Sequence, residues 1–397
     1  MRPTAVLATL TGRDRPGVTA AFFAALAAHD VEVRDVEQVV IRGRLILAVL
    51  LDLRGDTAAL RTSATHTGQA LGMECDVAVA EDAGSLHRNG RGARSHVIVL
   101  GRPLRPGALS HVAQRIADLG ANIESVAQLS TEPACSVEMI VRTDDAAELR
   151  AALVQAAADT GLDIAVEQAG LRRRAKRLVV LDLDSTLISD EGIDVLAERA
   201  GVGAQVGELT ERAMSGELEF GAALQARVAL LRGLPRAEVE AARDGLRLTP
   251  GARTFVRTLR RLGYHVGVVS DGFTVFTDRF VAELGLDFAA ANELEIVDDT
   301  VTGRVIGTVL DRAGKAAALR RFAADRNVPL SQTIAVGDGA NDIDMLEAAG
   351  LGIAFNAKAA LRAAADTTVN LPYLDTVLFV LGISREEIEA ANEESET

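Results

Sequence analysis

Short apolar runs alternate with amphipathic segments in the C-terminal half of the chain, a pattern typical of an α/β fold with an open parallel sheet. Strands of such a sheet are covered by helices on both faces, so they appear as continuous apolar runs. Three strands are predicted at Val179–Leu183, His265–Val269 and Thr333–Val336. The spacing of apolar positions predicts several amphipathic helices between residue 192 and about residue 250, and another helical pattern runs from Lys315 to Ala323.

The first 170 residues carry a different pattern, which occurs twice. In the first copy, a strand at Thr4–Leu10 leads to Pro16-Gly17, which opens a helix; two strands, a helix and a strand follow. In the second copy, a strand at His96–Gly101 leads to Pro106-Gly107, 90 residues after the first pair. The order β-α-β-β-α-β is ferredoxin-like. We therefore predict two such domains, residues 1–85 and 95–170, followed by a third domain at residues 178–397.

Two carboxylates, Asp182 and Asp184, stand one residue apart at the end of the strand predicted at Val179–Leu183. Side chains two apart in a strand share a face. Buried like charges repel each other and lose hydration, so they persist where a cation or a reaction requires them. The alternative is structural, with Asp184 or Ser185 forming a turn or capping a helix.

Further polar groups follow the other predicted strands. Asp338 and Asp342 come after the third strand, and Ser270, beside the turn residue Gly272, comes after the second. In an open α/β sheet, ligands bind outside the carboxyl ends of the strands, so we expect these groups to converge there. Taken alone, Lys315 would be interpreted as a solvated helix residue. Because it lies between the Ser270 and Asp338 segments in the sequence, we expect it to belong to the same site.

With these segments in order, the chain resembles the haloacid dehalogenase superfamily of phosphotransferases over roughly residues 178–382. Within that superfamily it is similar to the phosphoserine phosphatases, on the basis of Glu191, the segment Met214–Phe220 and Arg227. The resemblance implies a Rossmann-like core with a small helical cap at about residues 192–250. It also implies hydrolysis of O-phospho-L-serine, the last step of serine biosynthesis.

The chemistry of this reaction favours a carboxylate nucleophile. Phosphate-monoester hydrolysis needs accelerations up to on the order of 10²¹, whereas one general acid or base supplies only about 10²–10⁴. An aspartyl-phosphate intermediate divides the reaction into two easier displacements. By its place in the motif, Asp182 is the expected nucleophile. The resemblance implies that Asp184 protonates the leaving oxygen and then deprotonates the attacking water, while Lys315 and Ser270 bind phosphoryl oxygens.

The cofactor that the resemblance implies is Mg²⁺, which prefers carboxylate oxygens, substrate phosphate and retained water. Asp182 and Asp338 are the expected side-chain ligands, and the backbone carbonyl of Asp184 is a further expected ligand. Asp342 is expected to orient these ligands from outside the coordination sphere.

Substrate selection is expected to depend on the cap. Glu191 would meet the substrate ammonium and Arg227 its carboxylate, since a guanidinium binds a planar carboxylate through two hydrogen bonds. As alternatives, Met214 and Phe220 fit the core of the cap equally well, and Arg227 fits a surface helix. The other expected substrate contacts are Ser270, Gly272, Lys315, Asn341, Met214 and Phe220.

One residue departs from the pattern of the phosphoserine phosphatases. Asp271 follows Ser270, where those enzymes usually carry Gly, and an acidic side chain there would repel a phosphate unless it points away. A Ser-Asp pair also resembles superfamily members that transfer phosphate to homoserine. Two alternatives therefore stay open: a phosphatase or phosphotransferase acting on another phospho-amino acid, such as phosphohomoserine, and a non-catalytic amino-acid sensor.

The loop from Gly12 to Gly17, which contains Asp14, resembles that of an ACT domain, a module that commonly binds amino acids. The second copy has its loop at Arg102–Gly107, which lacks the Asp, and carries Asn122 further along, after Gly120. The resemblance implies feedback regulation by an amino acid, serine being the expected effector, and a homodimer paired through the ACT-like sheets. Alternatively, each Pro serves only as a first-turn helix residue.

Composition sets limits on location and partners. The net charge of −14 and the pI of about 5.0 argue against nucleic-acid or membrane binding, and the basic run Leu171–Arg177 is expected to be a solvated linker, as is the segment Asp82–Arg94. No signal peptide or long apolar segment is found, so we expect a cytoplasmic protein. Cys75 and Cys135 are expected to be buried thiols, and the acidic residues beyond Arg385 a frayed end.

Overall fold

A computed structural model describes residues 3–80, 92–170, 175–214 and 217–393. The side chains of Met214 and Glu393, the core of the first predicted linker and residues 171–174 of the second lie outside the described part. The chain divides into two compact units, residues 1–91 and 92–397. The second unit contains both the second ferredoxin-like domain and the α/β domain.

The first unit is a four-stranded antiparallel sheet with two helices packed against it. Side chains alternate along the first strand, so that Val6, Ala8 and Leu10 are buried and contact Phe22 of the first helix in one hydrophobic core. The sheet order is β2-β3-β1-β4. Its elements are β1 Thr4–Arg13, helix Val18–Leu26, β2 Val31–Ile41, β3 Arg44–Leu53, helix Thr57–Ala70 and β4 Glu74–Val79.

The second ferredoxin-like domain repeats this plan, with the sheet order β6-β7-β5-β8. The β-α-β-β-α-β prediction is therefore confirmed for both copies. The helix of the second copy begins at Pro106, where the missing N–H leaves no helical hydrogen bond unmade. Its elements are β5 Ala93–Gly101, helix Pro106–Asp118, β6 Asn122–Ser130, β7 Cys135–Thr143, helix Ala146–Thr160 and β8 Asp163–Gln168.

The α/β domain is built on a seven-stranded sheet in the order β12-β11-β10-β9-β13-β14-β15. Neighbouring strands from β11 to β15 are parallel, and only β12 pairs antiparallel, as the return strand of a hairpin. Every residue of the central strands β9 and β13 is buried, which explains their unbroken apolar runs. The strands are β9 Leu178–Asp182, β10 His265–Phe273, β11 Phe288–Val297, β12 Thr300–Ile306, β13 Thr333–Gly337, β14 Gly352–Phe355 and β15 Thr367–Val369.

Helices cover this sheet, and four of them form the predicted cap between β9 and β10. Ile188 pairs with Leu248 in a short antiparallel bridge, so the two ends of the cap segment lie side by side. The cap helices are Gly192–Arg199, Gly203–Met214, Phe220–Leu230 and Arg236–Gly245. The other helices are Ala252–Arg261, Thr274–Leu284, Arg312–Asp325, Ile343–Ala348, Ala359–Ala364, Val377–Val380 and Arg385–Glu393.

Within the second unit, the ferredoxin-like domain is joined to the edge of the seven-stranded sheet. The buried carboxylate of Asp163 accepts hydrogen bonds from the backbone N of Asn370 at 2.8 Å and from its Nδ2 at 2.6 Å. Arg150 donates to Asp366 at 2.6 Å, and Thr367 Oγ1 donates to the Ile164 carbonyl at 3.3 Å. Because Thr367 begins β15 and Asp366 directly precedes it, this domain contacts the sheet directly.

Several local expectations are corrected. Residues 385–393 form a helix, stabilised by a 2.7 Å ion pair between Arg385 and Glu389, where a frayed end was expected. Lys176 is buried and donates to the Ser331 carbonyl, so this part of the basic run is not a solvated linker. Cys75 and Cys135 are free but only half-buried. Arg94, which was expected to end the first linker, belongs to β5.

In the described ranges, no helix combines the length and the apolar character that crossing a membrane requires.

Candidate active site

The first site residues lie at the carboxyl end of β9. Asp182 is the last residue of the strand, and its Oδ1 accepts a hydrogen bond from the Leu183 N at 2.8 Å. The chain then makes a tight turn through Leu183–Leu187, in which Ser185 adopts a left-handed conformation with φ of 54°. This turn places Asp182 and Asp184 on the same side of the sheet edge, where both are buried.

Lys315 connects the ends of three elements. Its fully buried ammonium lies 2.8 Å from Asp182 Oδ1, 2.9 Å from Asp342 Oδ1 and 3.2 Å from Asp271 Oδ1. Burial opposes the charge on Lys315, but the carboxylates, Asp182 first, outweigh it and raise the Lys315 pKa well above its usual range. Lys315 is therefore a buried cation among several anions, and not a solvated helix residue.

Asp184 faces a second group of polar atoms. Its Oδ2 accepts from Ser270 Oγ at 3.0 Å and its Oδ1 from the Gly192 N at 2.6 Å. Ser270 Oγ in turn accepts from the Gly272 N at 2.8 Å. Burial, followed by the nearby charge of Glu191, raises the pKa of Asp184 to about 7. Near neutral pH this carboxyl group is thus available both as an acid and as a base.

A buried acidic trio lies at the ends of β9 and β13. The carboxylate oxygens of Asp182, Asp338 and Asp342 lie within 4.8 Å of one another. Burial, followed by the charge of Asp342, raises the pKa of Asp182 well above its usual range and that of Asp338 to about 7. Negative charge at this point is therefore only partly balanced by Lys315. An all-oxygen set of buried carboxylates fits a hard divalent cation.

Asp342 is already engaged through both oxygens. Oδ1 accepts from Lys315, and Oδ2 accepts from the backbone N of Asp338 and of Gly339, both at 3.1 Å. A Cβ at Gly337 would lie 2.4 Å from Asp342 Oδ2, so glycine is required there for the carboxylate to reach this position. These bonds hold the loop that carries Asp338.

A small cavity of about 40 Å³ lies between the sheet edge and the cap. Glu191 in this cavity accepts a 2.7 Å hydrogen bond from Ser185 Oγ, and Arg227 is buried with its Nε unpaired in the described part of the chain. Arg227 therefore faces the site and not the surface. The cavity is lined by Asp184, Glu191, Ile193, Leu224, Arg227, Asp271, Gly272 and Phe273.

Not every expected residue reaches this cavity. Phe220 is half-buried at the start of its helix and packs against the hydrophobic core, outside the set that lines the cavity. The side chain of Met214 lies outside the described residues. Asn341 does reach the site, where its Nδ2 donates to Asp271 Oδ1 at 3.1 Å.

Asp271 points into the site, although the sequence suggested that it would need to point away. Although burial works against it, the Lys315 ammonium holds the pKa of Asp271 below its usual range. Asn292, which the sequence did not single out, donates its Nδ2 to the Asp271 carbonyl at 2.7 Å and accepts from the Leu310 N at 2.7 Å. The sequence signal for this role is a polar Asn directly after the Ala-rich run 289–291. The structure shows that Asn292 is buried there.

The candidate effector residues belong to the ferredoxin-like domains. In the first unit, Asp14 donates its backbone N to the Gly43 carbonyl, and Gly17 has φ of 92° immediately before its helix. In the second unit, Gly107 lies inside the helix and Asn122 is exposed at the start of β6. The two loops therefore differ, since only the first has a left-handed glycine before the helix.

Comparison with known proteins places this geometry in a family. A profile of haloacid dehalogenase-like hydrolases matches residues 179–347, and ACT domain profiles match residues 4–78 and 94–167. A phosphoserine phosphatase of Streptomyces coelicolor is 53% identical over 98% of this chain and 94% of its own length. The corresponding values are 51%, 98% and 95% for a phosphoserine phosphatase of Mycobacterium tuberculosis.

Solved structures give the same result for the fold. The crystal structure of a probable phosphoserine phosphatase from Vibrio cholerae, in its unliganded form, superposes with a TM-score of 0.58 at 33% sequence identity. The match covers 75% of this chain and 88% of the Vibrio cholerae chain.

Proposed function

The chain belongs to the phosphoserine phosphatase family of haloacid dehalogenase-like hydrolases, and from this premise we propose the role of each residue in its active site. The protein is a phosphoric monoester hydrolase with two ACT domains, and its substrate is O-phospho-L-serine. The observation that carries the assignment of roles is the buried group of Asp182, Asp184, Lys315 and Asp338 at one edge of the sheet.

Asp182 is the nucleophile. Its carboxylate attacks phosphorus, the bond from phosphorus to the serine oxygen breaks, and an aspartyl phosphate forms. Lys315 lies 2.8 Å from Asp182 and is positioned to balance charge on the phosphoryl oxygens as they move towards this carboxylate. Ser270 donates to another phosphoryl oxygen once its present bond to Asp184 is exchanged.

Asp184 transfers protons. It gives a proton to the leaving serine oxygen, and the same carboxylate then takes a proton from the water that attacks the aspartyl phosphate. Its bonds to Ser270 and to the Gly192 N fix the carboxylate at the mouth of the cavity. Burial beside Glu191 gives it the proton affinity that this double role requires.

The residues present fit Mg²⁺. Asp182 and Asp338 would hold it through their side chains and Asp184 through its backbone carbonyl, while Asp342, whose oxygens are already engaged, would orient them. When bound, the ion screens the repulsion between the phosphate and the carboxylates of the site.

Two charged residues of the cavity suit the amino-acid part of the substrate. Within the described residues the buried Nε of Arg227 has no hydrogen-bond partner, and this guanidinium fits the carboxylate, while Glu191 fits the ammonium. A volume of about 40 Å³ is far below the roughly 300 Å³ or more of a typical small-molecule pocket. The cap must therefore open to admit phosphoserine, and closing it again excludes bulk water from the aspartyl phosphate.

Phosphate release from three phospho-amino acids tests this function. With Mg²⁺ we expect turnover that favours O-phospho-L-serine over O-phospho-L-threonine and phosphohomoserine, because Arg227 and Glu191 set the length of the pocket. EDTA should lower the rate by about 10³-fold or more, since a bound metal contributes several kcal/mol to such a transition state. Added Mg²⁺ should restore it.

Other outcomes separate the alternatives. Turnover of another phosphoester alone would keep the mechanism and replace the substrate. Phosphate transfer to added homoserine would favour a phosphotransferase, in keeping with the Ser270-Asp271 pair. Absence of turnover on every phosphoester, together with amino-acid binding, would favour a sensor with an inactive catalytic domain.

The ACT domains suit feedback regulation by an amino acid, with serine as the proposed effector and Asp14, Gly17, Gly107 and Asn122 as its candidate contacts. The bonds of Asp163 to Asn370 provide a direct connection from the second ACT domain to the catalytic sheet. Binding that moves β8 would therefore displace the loop after β15 as well.

We expect calorimetry to detect serine binding with the active site blocked by orthovanadate, and serine to change the rate of phosphoserine turnover. Asp14→Asn should weaken that binding by about tenfold, the effect of losing one charge-assisted hydrogen bond. Asp30→Asn, which removes an exposed carboxylate from the same domain, is the matched control. Absence of both heat and rate change would rule out serine as the effector.

A homodimer paired through the ACT sheets fits the exposed edge strands. Along β2, Val33, Val36, Val39 and Ile41 are 47–60% exposed, and among the described strands β2 pairs with β3 alone, so its outer edge can accept a further strand. Sedimentation equilibrium of the full chain measures this association.

The proposed location is the cytoplasm, because a phosphorylated amino acid carries charges that a lipid bilayer excludes.

A further inference from the structure

Three carboxylates surround the Lys315 ammonium, which donates hydrogen bonds to Asp182 and Asp342 and forms an ion pair with Asp271. An ammonium has three donors and no acceptor. Its neighbours are the Oδ1 atoms of Asp182 at 2.8 Å, Asp342 at 2.9 Å and Asp271 at 3.2 Å. With two donors bonded to Asp182 and Asp342, a phosphoryl oxygen that takes the third must compete with the Asp271 carboxylate.

Asp271 is the partner most easily displaced. Asp182 is also held by the Leu183 N, and Asp342 by the backbone N of Asp338 and Gly339. Asp271 makes the longest of the three contacts, and its side chain is 20% exposed, against 3% for Asp182 and 0% for Asp342. Its other side-chain partner is the amide of Asn341, which is itself a side chain.

The backbone of Asp271 is held in place independently of its side chain. The buried amide of Asn292 donates to the Asp271 carbonyl at 2.7 Å, and the same amide accepts from the Leu310 N. The next residue, Gly272, donates its N to Ser270 Oγ. Rotation of the Asp271 side chain can therefore separate its carboxylate from Lys315 while these backbone bonds are kept.

The place that Asp271 Oδ1 occupies suits an oxygen of a phosphate. Asp271 Oδ1 is an anionic oxygen that lies between the Lys315 ammonium and the Asn341 amide N–H, next to the proposed nucleophile Asp182. From this geometry we propose that the Asp271 carboxylate occupies the position of a phosphoryl oxygen on Lys315 and Asn341, and that phosphoanions must displace it in order to bind. The inference rests on the proposed function of the site and adds a residue that sets its affinity.

This arrangement has two consequences for the catalytic cycle. The substrate loses part of its binding energy in displacing Asp271, so KM is higher than the site would otherwise give. After hydrolysis, the returning carboxylate competes with inorganic phosphate for Lys315 and so favours release of that product.

Asp271→Asn and Asp271→Gly test the proposal. Calorimetric titration with inorganic phosphate in the presence of Mg²⁺ should give a Kd about tenfold lower in both variants, the factor that one charge-assisted hydrogen bond carries. The KM for phosphoserine and the Ki for phosphate should fall in parallel, while kcat does not rise with them. Asp278→Asn, which removes an exposed carboxylate from the helix after β10, is the control and should change neither constant.

Three results would overturn the proposal. Weaker phosphate binding would make Asp271 a group that helps to hold the ligand, and an unchanged Kd would mean that it does not compete. A fall in kcat and Tm without tighter phosphate binding would mean that the role of Asp271 is structural. Phosphate binding needs no turnover, so this test stands even if the enzyme hydrolyses a different phosphoester.

Discussion

Asp182→Asn should lower kcat for phosphoserine hydrolysis by about 10⁴-fold or more, the scale of loss when a covalent nucleophile is removed. The amide has nearly the shape of the carboxylate and can still accept from the Leu183 N, so the turn at the end of β9 is retained. It cannot attack phosphorus to form an acyl phosphate. Phosphate release over a range of substrate concentrations measures the effect.

Trapping the intermediate makes the same test independent of steady-state rates. Acid quenching of the wild-type enzyme with ³²P-labelled phosphoserine should leave label on the protein, and Asp182→Asn should leave none. Asp278→Asn again serves as the control for loss of one negative charge at an exposed position. Full activity in Asp182→Asn, or label retained on that variant, would overturn the assignment of the nucleophile, because the amide cannot form an acyl phosphate.

The sequence predicted which groups meet because topology limits where they can lie. Asp182 ends β9 and Asp338 follows β13, and these strands are adjacent and parallel, so their carboxyl ends share one edge of the sheet. Lys315 reaches the same edge from the first turns of its helix. The proposed roles of these residues stay predictions until the variants are measured.

Side-chain direction at the end of β10 was beyond sequence reasoning. Pairing between β10 and β11 is irregular between Val269 and Phe273, so the alternation of the strand cannot be extended to Asp271. In the structure, its contacts with Lys315 and Asn341 fix its orientation. The motif at this point gives the residue type and not the face on which it lies.

Burial of charged residues outside the motifs was also missed. Lys176 belongs to a basic run, and spacing alone favours solvent exposure for such residues. Its burial depends on the Ser331 carbonyl, 155 positions away, a contact that exists only in the folded sheet. The helix at residues 385–393 was missed because an acidic composition gives no sign of the buried Ile388 that attaches it to the core.

Lys315→Met should produce the largest loss of stability among single substitutions in the site. The change leaves Asp182 and Asp342 buried without their cation, and removing one partner of a buried ion pair costs about 3–5 kcal/mol. Chemical denaturation of the metal-free protein, followed through the transition of the catalytic domain, measures the free energy of unfolding. Added Mg²⁺ should recover part of the loss, because a bound cation would again balance the carboxylates.

Lys176→Met provides the matched comparison, since Lys176 is also buried but its ammonium donates to a backbone carbonyl, while Glu167 and Asp366 act on it through their charge. We expect a smaller loss of stability there and no recovery with Mg²⁺. Equal losses in the two variants would mean that burial of the Lys stem, and not charge balance, accounts for the effect. Recovery with Mg²⁺ in Lys315→Met alone would instead mean that excess negative charge destabilises the metal-free protein. The phosphate of the substrate has to overcome the same charge.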